Sequence, residues 1–229
     1  MIALASIAFN RPRLISEQIR LLGKNLLDRF RLTVYDTSTD EKASREIAKF
    51  CVESGGTSWW RMDSPTHHEA LNFAARMLPR KAPYIGFLDH DIFPIRPTTL
   101  IDKIDEAGFY GVGQRHPATG RLYLWPGFCF FSREWLAGRP LDFTGLRDGD
   151  ELNDGDTGSG LWPLFVEEDW GKLFRAEHSH RPIRKPDEYG LQSWGYEQID
   201  DWIHFTNASH WMLVPRPEER DRLLFGLLK

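Results

Sequence analysis

Apolar positions recur along this chain with two periods, and the switch between them marks out most of the elements. Ile2–Phe9 is almost continuously apolar, the pattern of a strand covered on both faces in a parallel sheet. Asn10-Arg11-Pro12 breaks the run, and Ile15, Ile19, Leu22 and Leu26 then follow at helical spacing. Leu32–Tyr35 reads as a second strand, ending at Asp36-Thr37-Ser38-Thr39. The next helix carries Ala43, Ile47 and Cys51 on one face, with Gly55-Gly56 as its stop. A short third strand near Trp59–Met62 leads to Ser64-Pro65, a helix start with the cap ahead of the proline. Ala70, Leu71, Ala74 and Leu78 supply that helix's stripe. Tyr84–Leu88 is a further buried strand, and it runs straight into Asp89-His90-Asp91.

This alternation through residue 91 predicts an α/β fold with a Rossmann-like, mainly parallel sheet flanked by helices. Crossovers in such sheets are right-handed, so ligands gather at the carboxyl ends of the strands. Asn10, Asp36 and Asp89 all fall at such ends.

After Ile101 the pattern changes. Phe109–Gly113 and Leu122–Ser132 read as strands about the His116–Gly120 turn, so antiparallel pairing and a mixed second half are expected. Asp142–Gly160 is rich in Gly and Asp and reads as a long loop, a length that in compact domains often serves function. Leu161–Phe174 is expected to be helical despite Pro163. His178–Gly195 reads as polar and irregular, Trp202–Phe205 as a short strand, and Glu218–Leu228 as an amphipathic terminal helix. No linker interrupts the chain, so residues 1–229 are taken as a single domain.

Composition narrows the function classes. The 229 residues carry a net charge of −4, which leaves no basic excess for nucleic acid. Nine Trp and fifteen Phe exceed what a minimal core needs, and such rings stack on sugars and bases when they do not fill cores. Two cysteines without metal-type spacing suit a reducing, cytoplasmic setting. The opening apolar run is too short for a membrane span and lacks a signal peptide's basic start. The terminal helix leaves peripheral membrane contact open, with packing on the sheet as its other use.

The sharpest chemical signal is Phe87-Leu88-Asp89-His90-Asp91 at the end of a buried strand. Two carboxylates one residue apart can both face a hard divalent ion, Mn²⁺ or Mg²⁺, that shares its coordination with substrate phosphates. A solvated turn is the plain alternative.

The opening strand with Asn10-Arg11-Pro12, the Asp36-x-Ser38 of the second strand, the helix bearing Asn72 and Ala75-Arg76, and the Asp-x-Asp after Tyr84–Leu88 stand in a recognisable order. That ordered set resembles the nucleotide-binding half of GT-A type nucleotide-sugar glycosyltransferases. The resemblance implies a GT-A fold, with residues 1–100 binding the nucleotide sugar and residues 101–229 binding the acceptor. Asp36 would accept a hydrogen bond from the donor's base, with helix capping as its other reading. Phe9, Asn10 and Arg11 would line the same pocket, Asp89 would meet ribose or metal, and Asp91 would be the main metal ligand. His67 and His68 lie at a helix start near the expected diphosphate, and His68 and Asn72 join the donor set. Gly127–Phe131 would floor the sugar pocket, or serve as an aromatic core strand.

For the acceptor's proton, Asp156 within Asp154-Gly155-Asp156-Thr157-Gly158 is the chosen general base, with Glu167-Glu168-Asp169 as the rival group. His204, with His210 behind it, is the late histidine that would complete the metal site; His178-x-His180 is set aside. The activity implied is metal-dependent sugar transfer from a nucleoside-diphosphate donor to a hydroxyl of a glycan or glycolipid, with inversion. A retaining course, a haloacid-dehalogenase-like phosphotransfer enzyme and a silent carbohydrate- or nucleotide-binding domain are the alternatives.

Overall fold

The structure is a computed structural model that describes residues 1–63, 66–116, 119–145, 157–166, 168, 170–182, 195–206, 208 and 217–229. Its main sheet has six strands: β1 (Ile2–Ala8), β2 (Phe30–Asp36), β3 (Thr57–Arg61), β4 (Tyr84–Asp89), β6 (Phe109–Arg115) and β7 (Leu122–Ser132). They lie in the order β3-β2-β1-β4-β7-β6. The first four run parallel, and β7 is antiparallel to both β4 and β6. A second sheet, entirely antiparallel, has the order β5-β10-β9-β8. Its strands are β5 (Ile92–Pro94), β8 (His178–Pro182), β9 (Gly195–Ile199) and β10 (Trp202–His204).

Every residue of β1 is buried, which is why its sequence does not alternate. One face of the main sheet receives α1 (Pro12–Asn25) and α2 (Glu41–Glu53), through Ile15, Leu22, Ile47 and Cys51. The other receives α3 (His67–Met77), whose Ala70, Leu71 and Ala74 pack on Ala3, Ala5 and Ile7. Small residues on both sides let helix and sheet approach closely. A third cluster joins Leu14 and Leu21 of α1 to Phe93, Phe205 and the C-terminal helix α6 (Pro217–Gly226), through Leu224 and Phe225. The terminal helix thus packs back on the fold, leaving Leu223 and Leu227 exposed. Among the described residues no helix is long and apolar enough to cross a membrane.

Local chemistry moved several boundaries. Asp36 does not cap α2; Asp40 does, accepting from Lys42 N at 2.8 Å. Ser64-Pro65 lies outside the described residues, and α3 begins on a Thr66–Glu69 capping box, which satisfies two otherwise orphaned amides. The helix expected over Leu161–Phe174 is a 3-10 helix, Ser159–Phe165, followed by the short α5 (Trp170–Leu173). Pro163 has no N–H to donate and its ring blocks a regular α ladder. The stretch from His178, read as irregular, holds β8 and ends at β9. These strands carry His, Glu and Gln rather than the apolar residues that announce a strand. A five-residue α4 (Ile101–Asp105) connects β5 to β6.

Candidate functional site

The site is built where β4 ends. Asp89 is its last residue; the chain turns at His90 and Asp91 and enters β5 directly. Gln18 of α1, fully buried, donates from Nε2 to the carbonyls of Asp89 (2.8 Å) and Ile92 (3.0 Å) and accepts the Ser6 hydroxyl at 2.6 Å. One amide therefore pins both sides of the turn. His90 is buried, with Nδ1 at 2.9 Å from the Ile7 carbonyl.

The second sheet brings the remaining groups. β10 pairs with β5 so that His204 lies opposite Ile92, and Phe205 N donates to Asp91 O at 2.9 Å. This register sets His204 Nε2 3.6 Å from Asp91 Oδ1, too long for a hydrogen bond. Asp91 Oδ1 is buried and has no hydrogen-bond partner among the described residues. On the next strand Glu197 is the register partner of His204, and its Oε2 lies 2.7 Å from His204 Nδ1. His178 Nε2 of β8 approaches the same oxygen at 3.4 Å. An ionised carboxylate only accepts, so Nδ1 carries the proton and Nε2 is left facing Asp91.

Asp89 points to a different partner. His67, in the first turn of α3, sits 3.0 Å from its Oδ1. A Cβ at Gly127 of β7 would come within 2.5 Å of Asp89 Oδ2 and 2.4 Å of the Trp125 ring, so only glycine fits behind that carboxylate. Trp125 in turn packs on the His204 ring, centroids 4.7 Å apart. Asp89, Asp91, His67, Trp125, Glu197 and His204 share the wall of one cavity of about 620 Å³, which Phe9 and Thr37 also line.

Burial raises the Asp91 carboxyl, an effect that His204 and His90 only partly offset. Burial acts on Asp89 too, but His67 and the other imidazoles outweigh it and hold that group low. Glu197 is pulled far below the carboxylate range against burial, by its bonds to His178 and His204. His204 is raised in spite of burial, chiefly by Asp91 and Glu197. The imidazole thus lies between two carboxylates that favour its charged form.

Other expected residues lie elsewhere. Asn10, at φ 50, ties the first loop to the second: its N donates to Ser38 Oγ at 2.8 Å and its Oδ1 accepts from Asp40 N at 2.9 Å. Arg11 is drawn to the C-terminal helix, Nη2 2.7 Å from Asp221 Oδ1. Asp36 is fully buried with both oxygens engaged, Oδ1 by Ser38 N and Oδ2 by Ser44 Oγ, Trp59 Nε1 and Arg61 Nη1. His68 turns to Thr66 while its neighbour His67 takes the cavity wall. Asn72 holds the start of the long loop, accepting from Phe143 N at 2.9 Å. Glu168 accepts from Trp135 Nε1 and pairs with Lys172 and Arg139, so that member of the rival acidic group is not in the cavity wall. Asp156, Glu167, Asp169 and His210 lie outside the described residues.

Sequence reading missed Gln18 and Glu197 and set His178 aside. For Glu197 a signal existed: Asp200-Asp201 between Ile199 and Trp202 is a two-residue hairpin, with Asp200 at φ 48. Counting back from it places residue 197 opposite 204.

No family model and no curated protein matches the chain. Solved structures do overlap it. A mannosyltransferase, PcManGT from Pyrobaculum calidifontis in complex with GDP-Man and Mn²⁺, shares 15% identity over 62% of this chain and 47% of its own, with a TM-score of 0.46. S. aureus TarS shares 18% identity over 62% of this chain and 30% of its own, at 0.44. A shorter form of it, TarS 1-349 in complex with UDP, gives 18%, 62%, 50% and 0.46. The chain spans half or less of the length of each, so the assignments below rest on its own residues.

Proposed function

We propose that the chain is a metal-dependent GT-A type glycosyltransferase, moving a sugar from a nucleoside-diphosphate donor to a hydroxyl of a glycan or glycolipid with inversion. The observation that carries this reading is the buried Asp91 Oδ1, without a hydrogen-bond partner among the described residues, facing His204 Nε2 across 3.6 Å at the carboxyl edge of a parallel sheet. A carboxylate oxygen without a donor is costly to bury; a cation between the two atoms removes that cost. Carboxylate with imidazole suits Mn²⁺ better than Mg²⁺. Among the described residues no three such groups form a ready-made cluster; an ion held by Asp91 and His204 would take its remaining positions from substrate phosphates and water.

In this reading Asp91 and His204 hold the ion, and Asp89 meets the ribose or the ion. Bound there, the ion neutralises charge on the diphosphate leaving group. Phe9 and Thr37 line the nucleotide end, while Asn10 and Asp36 fix the loops behind them. Asp156 remains our choice for the base that removes the acceptor's proton. A phosphotransfer enzyme would need Asp89 as a free nucleophile, and here it is paired with His67 and backed by Gly127.

Thermal unfolding with UDP, GDP, CMP or dTDP, each with and without Mn²⁺, tests the proposal. A ligand at a hundredfold excess over its dissociation constant adds about 2.7 kcal/mol of stability. One nucleotide should stabilise the wild type only with Mn²⁺, and Asp91→Ala should lose that gain. Absence of any metal-dependent shift rules the reading out.

A further inference from the structure

His204 can meet an ion only if the proton of its neutral ring sits on Nδ1, because Nε2 is the atom that faces Asp91. Nothing on β10 itself makes that choice. Glu197 makes it, from the adjacent strand, with a carboxylate oxygen 2.7 Å from Nδ1. The same oxygen lies 3.4 Å from His178 Nε2, so β8, β9 and β10 each contribute one member of a His178–Glu197–His204 relay. Register sets Glu197 directly opposite His204, while His178 pairs with Ile199 and lies diagonally from Glu197 across the β8–β9 ladder. Rotation of the carboxylate away from His204 would also give up the His178 contact to that oxygen.

We propose that Glu197 is the positioning residue of this site, fixing the tautomer and ring orientation of His204 so that Nε2 is presented beside Asp91, with His178 steadying Glu197. The inference rests on the metal reading above. Carboxylates behind a ligating imidazole have this function in metal sites generally, and losing one typically lowers metal affinity about 10- to 100-fold.

Two readouts test it. Long-range ¹H–¹⁵N spectra of the metal-free protein, taken at alkaline pH with the ring neutral and assigned with His204→Gln, report the tautomer. Electron paramagnetic resonance of free Mn²⁺ reports affinity. The wild type should show His204 protonated on Nδ1, and Glu197→Leu should show a mixture of tautomers and bind Mn²⁺ about 10- to 100-fold more weakly. Glu197→Gln, which keeps an accepting oxygen and nearly the same volume, should retain the Nδ1 tautomer and lose less affinity; it also serves if the leucine variant folds poorly. His204 protonated on Nε2 in the wild type overturns the proposal with or without an ion. Equal Mn²⁺ affinity in wild type and both Glu197 variants, with Asp91→Ala having lost binding, overturns it and leaves the metal reading intact. Mn²⁺ binding that survives in Asp91→Ala removes the metal reading and this proposal together.

Discussion

The two sheets contribute to one cavity but are built by different rules. The centre of the parallel sheet is covered on both faces, and β1 contains not a single exposed residue, while the edge strand β3 leaves Trp59 and Trp60 exposed. In the small antiparallel sheet one face packs Phe93 and Ile203 against α1 and α6, and the other is divided between core and cavity. Trp202 and Ile199 enter the common core, while Glu197, His178 and His204 face the cavity. The first sheet supplies position: it delivers Asp89 and Asp91 on a turn held by Gln18 and His90. The second supplies the partner groups that give those carboxylates their chemistry. A rigid support and a polar, half-open wall are different demands on sequence, and they should respond differently to damage.

The strongest way to break this comparison is through Trp202. It is fully buried, and its ring packs on Phe128 and Phe130 of β7, at 5.2 and 6.4 Å between centroids. Trp202→Ala should cost about 3–5 kcal/mol, the usual range for emptying an aromatic site in a core. If the sheets are separable, hydrogen exchange should speed up in β8, β9 and β10 well before β1 and β4. A uniform loss of protection across both sheets, measured by exchange mass spectrometry, would show that they form one cooperative unit and that the contrast is only one of composition.

That contrast also explains what could be read in advance. Strands covered on both faces announce themselves, and β1, β2, β4 and β7 fall close to where apolar runs placed them. The Asp-x-Asp at the end of β4 followed from the same pattern. In β8 and β9 the residues that matter are the polar ones, and His178-Ser179-His180 or Tyr196-Glu197-Gln198 look like loop. Asp36 was placed at the right strand end, yet its neighbour Ser44 comes from α2, and Trp59 and Arg61 come from β3. No periodicity predicts how many donors converge on one carboxylate. Gln18 is the clearest case: in sequence it is a polar residue on a helix between Ile15 and Ile19, and only the fold brings it under the turn.

A smaller effect is expected at Gln18, and it sharpens the claim that the main sheet supplies position. Gln18→Leu keeps the volume but leaves the carbonyls of Asp89 and Ile92 and the Ser6 hydroxyl without their shared partner. Leaving buried polar groups unsatisfied costs about 1–3 kcal/mol. Denaturant titration should show that loss, and Mn²⁺ affinity should fall with it because both ends of the Asp89–Asp91 turn are released. Stability lost with affinity intact would mean that β5–β10 pairing alone holds the turn.

The smallest expected effect concerns how the second sheet is fastened to the first. Asp200, in the β9–β10 turn, accepts from Lys103 Nζ and Glu177 N, each at 2.8 Å, and from the Tyr110 hydroxyl. Burial works against its charge, yet those donors hold its carboxyl below the usual value. A carboxyl depressed by folding stabilises the protein above its unfolded pKa, about 3.9, and loses that contribution as pH falls through the lower folded value. Wild type should therefore exceed Asp200→Asn by about 1–2 kcal/mol at pH 7, below the ~1.5–3 kcal/mol of a hydrogen bond to a charged group because Asn keeps an accepting oxygen. At an acid pH below the folded value the gap should be gone, a fall that begins near the unfolded pKa of about 3.9. Urea midpoints of both proteins at the two pH values measure it, and subtracting one protein from the other cancels every carboxylate they share. A gap that persists in acid would assign the fastening to the shape of the turn, with Asp200 at φ 48, rather than to its charge.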